Sequence, residues 1–202
     1  MKRLSARDRG GSDPRAFTIV EMLIGLAITA MIGVGVSSML VMVSQGAVAQ
    51  ADLRRVNVKQ RVIASRVNST VRASKMVLAV DGSSLVLWAG DTRPNGRPNL
   101  SEIIRIEWQQ STNEIWAYQA PPNLPEEDDI VYGLHDPFDW ITQTLAGTTD
   151  FPGQRWGTGV SAWTIAVDVP TVQHASLVRH DLTVEADDLA SSSQYAAALR
   201  SR

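Results

Sequence analysis

The stretch from Arg15 to Val43 constrains this chain more than any other. Phe17 and Thr18 are followed by a single acid, Glu21, and then by 22 uncharged, mostly apolar residues, Met22–Val43. At 1.5 Å per helical residue that run is about 33 Å long, enough to cross a bilayer. Glu21 is out of place in a plain anchor. A carboxylate in the apolar phase costs about 2.5–3.5 kcal/mol on insertion scales, so an acid here marks a functional group that needs a cationic partner. The residues before it do not form an ordinary secretory signal. Their charged region is long, and the small residue Ala16 precedes the apolar run instead of following it.

No proline occurs between Pro14 and Pro94. A helix is therefore expected over residues 17–76, with its membrane-spanning part at about 20–43 and Gly46 as a soft point. The first half is apolar all round. In the second half Leu53, Val56, Ile63, Val67 and Val71 fall on one stripe at about 100° per residue, while Val58 and Val62 lie off it. That pattern predicts a helix whose upper half packs on a sheet. The sheet signals start at once. Val77–Ala89 reads as a hairpin turned at Asp81-Gly82. Ile103–Trp108 and Glu114–Tyr118 read as a second hairpin. Residues 163–169 and 177–184 read as later strands. Asp136 and Pro137 read as the cap and first residue of a short helix through Phe138, Ile141 and Leu145, closed by Gly147. A β-rich domain is expected over 77–186, and the Ser- and Ala-rich residues 187–202 read as a flexible tail or one short helix. The fold class is α+β.

Charge is segregated along the chain. Residues 1–16 carry five bases and two acids, residues 52–79 seven bases and one acid, and residues 80–202 seven bases and seventeen acids. An acidic distal domain argues against nucleic acid as a partner, since phosphate binding needs a basic face. The absence of Cys excludes disulfides, thiolate chemistry and Cys-ligated zinc.

The nine residues Ala16-Phe17-Thr18-Ile19-Val20-Glu21-Met22-Leu23-Ile24 resemble the processing motif of type IV prepilins and type II secretion pseudopilins. The resemblance implies cleavage by prepilin peptidase between Ala16 and Phe17, N-methylation of Phe17, and a role for Glu21 in assembly. This chain has Ala16 where that family strongly prefers Gly. A weaker resemblance to the larger minor subunits, J-type pseudopilins and W-type minor pilins, runs through Val71–Lys75 and the two hairpins. It implies a long N-terminal helix on an antiparallel sheet. It also implies a single-pass inner-membrane protein with residues 1–16 in the cytoplasm and the C-terminal domain in the periplasm or outside the cell. The implied partners are other pilin or pseudopilin subunits, the peptidase and the inner-membrane assembly platform. The competing expectation is a signal-anchored extracytoplasmic domain that binds a glycan or acts as an enzyme.

Other features carry less. Gly25, Thr29, Gly33 and Ser37 form a small-residue ridge along the anchor, suited to close helix packing. Gly157-Thr-Gly159-Val-Ser-Ala162 matches a dinucleotide-binding fingerprint in letters but precedes a strand-like run, so it reads as a loop without cofactor. Glu126-Glu-Asp-Asp129 lacks the spacing of a calcium loop and reads as solvated. His135, His174 and His180 show no metal-ligand spacing, and His180 and Asp181, as strand neighbours, point to opposite faces. No catalytic, metal or cofactor residue is assigned. Trp88, Trp108, Trp116 and Trp163 are expected in the core, and Trp140 and Trp156 on a partner or glycan surface. Pro94–Gly96 reads as a turn outside the core, flanked by Arg93 and Arg97 as surface charges of little energetic weight.

Overall fold

The computed structural model describes residues 18–186 and 189–200. The chain divides into two compact units, Met1–Ala49 and Gln50–Arg202. One helix, α1 (Ile19–Ala73), contributes to both. In the first unit its apolar side chains are exposed, among them Ile19, Leu26, Met31, Leu40 and Val48. No residue of its most apolar stretch is buried, and its mean hydropathy of 2.2 suits a membrane span.

The second unit is an α+β domain built from the end of α1 and two antiparallel sheets. The larger sheet runs β1-β2-β3-β4-β5 and the smaller β6-β7-β8. Strands β1 (Met76–Asp81) and β2 (Ser84–Trp88) form the first expected hairpin, with Asp81 Oδ1 accepting from the Gly82 amide at 2.6 Å. Strands β3 (Ile103–Gln109) and β4 (Glu114–Gln119) form the second. Asn113 takes a φ of 56° at its turn, a left-handed position that Asn tolerates. Strand β5 (Gly153–Thr158) adds to β4, and β6 (Val160–Val167) and β7 (Leu177–Ala186) pair in the second sheet.

One core joins Val56, Ile63, Ala64, Val67 and Val71 of α1 to the facing sides of both sheets, including Leu85, Ile106, Ile115, Trp163 and Leu182. A second core lies on the other face of the larger sheet. There Met76, Leu78, Val86, Trp88 and Ile103 meet Phe138 of α2 (Phe138–Leu145) and Phe151. Strand β2 is buried at every position because α1 covers one of its faces and α2 the other.

Several expectations are corrected. Residues Leu189–Ala198 are not a tail or helix but strand β8, paired residue for residue with β7 from Ala186↔Leu189 to Leu177↔Ala198. Ladder bonding and a small inward face pressed on α1 override the weak strand propensity of Ala and Ser. Leu53 is 44% exposed, and the stripe is completed instead by Gln60 and Ala64, both buried. Asp136 does not cap α2. Its carboxylate accepts from the Gly133 amide at 2.7 Å, and Pro137 takes the cap position with no side-chain bond. Residues 157–162 are not a loop but the junction of β5 and β6, turned at Gly159, whose φ of 75° favours glycine. Trp88 and Trp163 are buried, whereas Trp108 and Trp116 are only half-buried.

Candidate functional site

The processing residues Ala16 and Phe17 lie outside the described residues. The motif is described from Thr18 onward, where α1 starts. The Glu21 amide donates to Thr18 O at 3.0 Å and to Thr18 Oγ1 at 3.3 Å, and the Met22 amide donates to Thr18 O at 3.1 Å. Thr18 is thus the cap of the helix, and Glu21 stands three residues on, the spacing of a capping box. Its carboxylate sits in the first turn, where the helix dipole favours negative charge. Thr-x-x-Glu before an apolar run is the usual sequence signature of such a cap. Glu21 is exposed and has no cationic partner among the described residues.

The ridge residues Gly25, Thr29, Gly33 and Ser37 are all exposed. A Cβ added at Gly25 or Gly33 would meet nothing within 4 Å. The Thr29 hydroxyl donates back to Gly25 O at 2.7 Å, and Ser38 Oγ to Gly35 O at 2.8 Å. The Thr29 and Ser38 hydroxyls are therefore satisfied by their own backbone, which lowers the cost of placing them in hydrocarbon.

In the second unit two buried carboxylates are enclosed by donors. Glu102, 2% exposed, accepts from Trp88 Nε1, Thr92 Oγ1 and the amides of Arg93 and Asn99 at 2.8–3.2 Å. Asp129 is the buried member of the acidic run and corrects its reading as wholly solvated. It accepts from the Ser101 amide and hydroxyl at 2.8 Å each and from Asn99 Nδ2 at 3.3 Å. Arg93 Nη1 lies 3.2 Å from the same carboxylate, and its Nη2 donates to Leu124 O at 2.9 Å. Arg93 is therefore a structural cation, not a free surface charge. Each oxygen of Glu102 accepts two bonds, and Asp129 takes most of its donors on Oδ2. Among the described residues no group of three or more His, Asp or Glu side chains is arranged to hold a metal ion.

Arg105, 3% exposed, donates to Glu107 Oε2 and to Asp139 Oδ1 at 2.7 Å each and so ties α2 to the sheet. Lys75 Nζ lies 3.1 Å from Asp91 Oδ2 and 3.9 Å over the Trp88 ring, and its hydrogen bond holds the Asp91 carboxyl below the usual range. His180 points inward and Asp181 outward, as their alternation requires. Trp163 Nε1 donates to His180 Nδ1 at 3.4 Å, so the ring proton sits on Nε2, 3.1 Å from Asn68 Oδ1. Burial pushes the imidazole down to about 4, against a smaller opposing pull from Asp181. A neutral, wedged imidazole with both nitrogens engaged has no free atom for proton transfer.

Of the surface aromatics, Trp140 is 65% exposed. Trp156 is half-buried and separates two hollows along β5. One, of about 260 Å³, is lined by Val58, Val62 and Ile63. The other, of about 580 Å³, is lined by Thr70, Gln119 and Gln154. No family model matches the chain, and neither a curated protein nor a solved structure matches it.

Proposed function

We propose that this protein is a minor pilin or pseudopilin. It is made as a membrane-inserted precursor, trimmed between Ala16 and Phe17, N-methylated on Phe17 and assembled into a short filament or its tip through α1. The observation that carries this reading is the start of α1: a capped first turn holding Glu21 directly before an uncovered apolar helix, whose later turns pack on an antiparallel sheet. In this reading the protein crosses the inner membrane once, its C-terminal domain lies in the periplasm or outside the cell, and its partners are sister subunits, the peptidase and the assembly platform, as the resemblance of residues 16–24 implies.

The chemistry of assembly is a charge pairing. Cleavage exposes an α-amine at Phe17, and Glu21 of a neighbour is its counter-ion in a helical core without water. Removing one member of such a buried pair costs roughly 3–5 kcal/mol. The Gly25–Ser37 ridge lets neighbouring helices approach closely enough for the pair to form.

The test uses membranes with and without prepilin peptidase. Intact mass should show loss of residues 1–16 and a methylated Phe17 only where the peptidase is present. Ala16→Gly should speed the cut and Ala16→Asp should stop it. Glu21→Ala should be inserted and cut normally but lose cysteine cross-links to sister subunits. An identical mass with and without peptidase, or wild-type cross-linking by cleaved Glu21→Ala, refutes the proposal. An intact Met1 or a cut after residue 43 returns the chain to a signal-anchored domain.

A further inference from the structure

Strand β5 carries an irregularity at one residue. Ile115 pairs with Gly157 and Trp116 with Arg155, so Trp156 is an extra residue in the edge strand, a β-bulge. Bulges re-aim a side chain and release its carbonyl from the ladder. The Trp156 carbonyl is instead taken by Arg66 Nη1 of α1 at 3.0 Å, which fixes the bulge against the helix. The bulge lies at the wall of the 580 Å³ groove between the last turns of α1 and the ends of β3, β4 and β5.

The lining of that groove is chemically selective. It contains no ionisable side chain. Its only aromatic group is the indole of Trp156. Its polar side chains are Thr70 and the exposed amides of Gln119 and Gln154. Each amide offers two donors and one acceptor oxygen, the set that matches adjacent hydroxyls, which both give and accept. An indole presents a negative π face to the weakly positive C–H face of a pyranose. The lining carries no charge of its own, and Arg66, held at the bulge, spends Nη1 on the Trp156 carbonyl, so an acidic or basic ligand finds no dedicated counter-ion there. A proline-rich peptide would need a row of aromatic ridges, and here there is one ring among walls already made of Pro121, Pro122 and Pro152.

We propose that this groove binds a neutral oligosaccharide, with Trp156 stacking on one sugar ring and Gln119 and Gln154 reading its hydroxyls. The site lies wholly within residues 50–202 and does not depend on cleavage, methylation or filament assembly.

The test uses the full chain in phospholipid nanodiscs, because glycosidic detergents would compete. Cellohexaose, maltohexaose and chitotetraose are titrated by calorimetry, beside trigalacturonate and a decameric proline-rich peptide. At least one neutral sugar should bind with a Kd of about 1 mM or tighter, and trigalacturonate and the peptide should not. Trp156→Ala should weaken that binding about tenfold or more, and Gln119→Ala with Gln154→Ala by at least about tenfold together. Trp156 also packs on the core, so the two exposed glutamines keep the test decisive if Trp156→Ala does not fold. Binding of none of the three sugars overturns the proposal. So does sugar binding unchanged in the double glutamine variant, and so does preferential binding of trigalacturonate or of the peptide.

Discussion

Gln60 is the polar residue at the centre of the α1 stripe, 2% exposed. Its Nε2 donates to Leu182 O of β7 at 2.8 Å and to Ser191 O of β8 at 3.2 Å. Its Oε1 accepts from Ser191 Oγ at 3.1 Å and Ser193 Oγ at 3.4 Å. One amide thus joins the helix to two strands, and replacing it separates three contributions. Gln60→Ala loses two good hydrogen bonds, each worth about 1 kcal/mol net, and leaves a small void, for a loss of about 2–3 kcal/mol. Gln60→Leu fills the void but strands the same carbonyls, so it should cost about 1–2 kcal/mol. Gln60→Glu is isosteric yet faces two carbonyl oxygens with a carboxylate, and at neutral pH it should be the worst of the three at about 3 kcal/mol or more. Protonation turns that acid into a donor, so Glu alone should regain stability as the pH falls towards 5. Thermal melts by circular dichroism in nanodiscs read the order, with Ala lowering Tm by roughly 4–12 °C in a domain of this size. Gln60→Glu as stable as wild type at neutral pH would refute the assigned amide orientation. A shift for Ala below about 1 °C would show that the bonds do not tie the helix to the sheet.

Three other outcomes are expected. Arg93→Ala should cost about 2 kcal/mol in denaturant melts, less than a fully buried pair because Arg93 is a third exposed, while Arg97→Ala should change stability by less than about 0.5 kcal/mol; equal effects would overturn the distinction. His180 is neutral when folded, and its value of about 4 lies below the usual 6.5, so the unfolded chain binds the extra proton. Its contribution is complete above pH 6.5 and lost as the pH falls towards 4, by about 3 kcal/mol in all, and His180→Gln should flatten that part of the pH–stability curve. Gly157→Ala should cost about 1–3 kcal/mol because its Cβ would strike both Cδ1 and Cγ1 of Ile63, and Ile63→Val, which removes Cδ1 but keeps the γ-carbons, should recover only part of that loss; full recovery in urea melts of the double variant would refute the Cγ1 clash.

The parts of the fold legible in sequence are those whose cause is local. The α1 stripe, the Asp81-Gly82 turn and the two alternating hairpins carry their signals within a dozen residues. Strand β8 does not, because Ser191, Ser193 and Ala197 acquire an inward face only when α1 and β7 are beside them. Gln60 breaks the apolar pattern that would reveal it as core, and Asp129 looks like its exposed neighbours Glu126–Asp128 until Arg93, Asn99 and Ser101 close around it. The motif at Phe17–Glu21 is recognisable from residue types alone, whereas the groove is not. It arises from a one-residue bulge at Trp156 and from Thr70, Gln119 and Gln154, brought together from positions far apart in the chain.

The bond between Gln60 and Ser191 spans 131 positions. At a synthesis rate of about 5–20 residues per second, roughly 7–26 s separate the translation of the two residues. Throughout that interval Val56, Ile63, Val67 and Val71 have no β8 to complete their cover. The core between the larger sheet and α2 takes nothing from β6–β8 and can form earlier, whereas the α1 stripe is not fully covered until β8 emerges. A ribosome stalled before Leu189 holds a nascent chain whose α1 stripe lacks that cover, an open apolar seam and the state in which a holdase chaperone has most to bind.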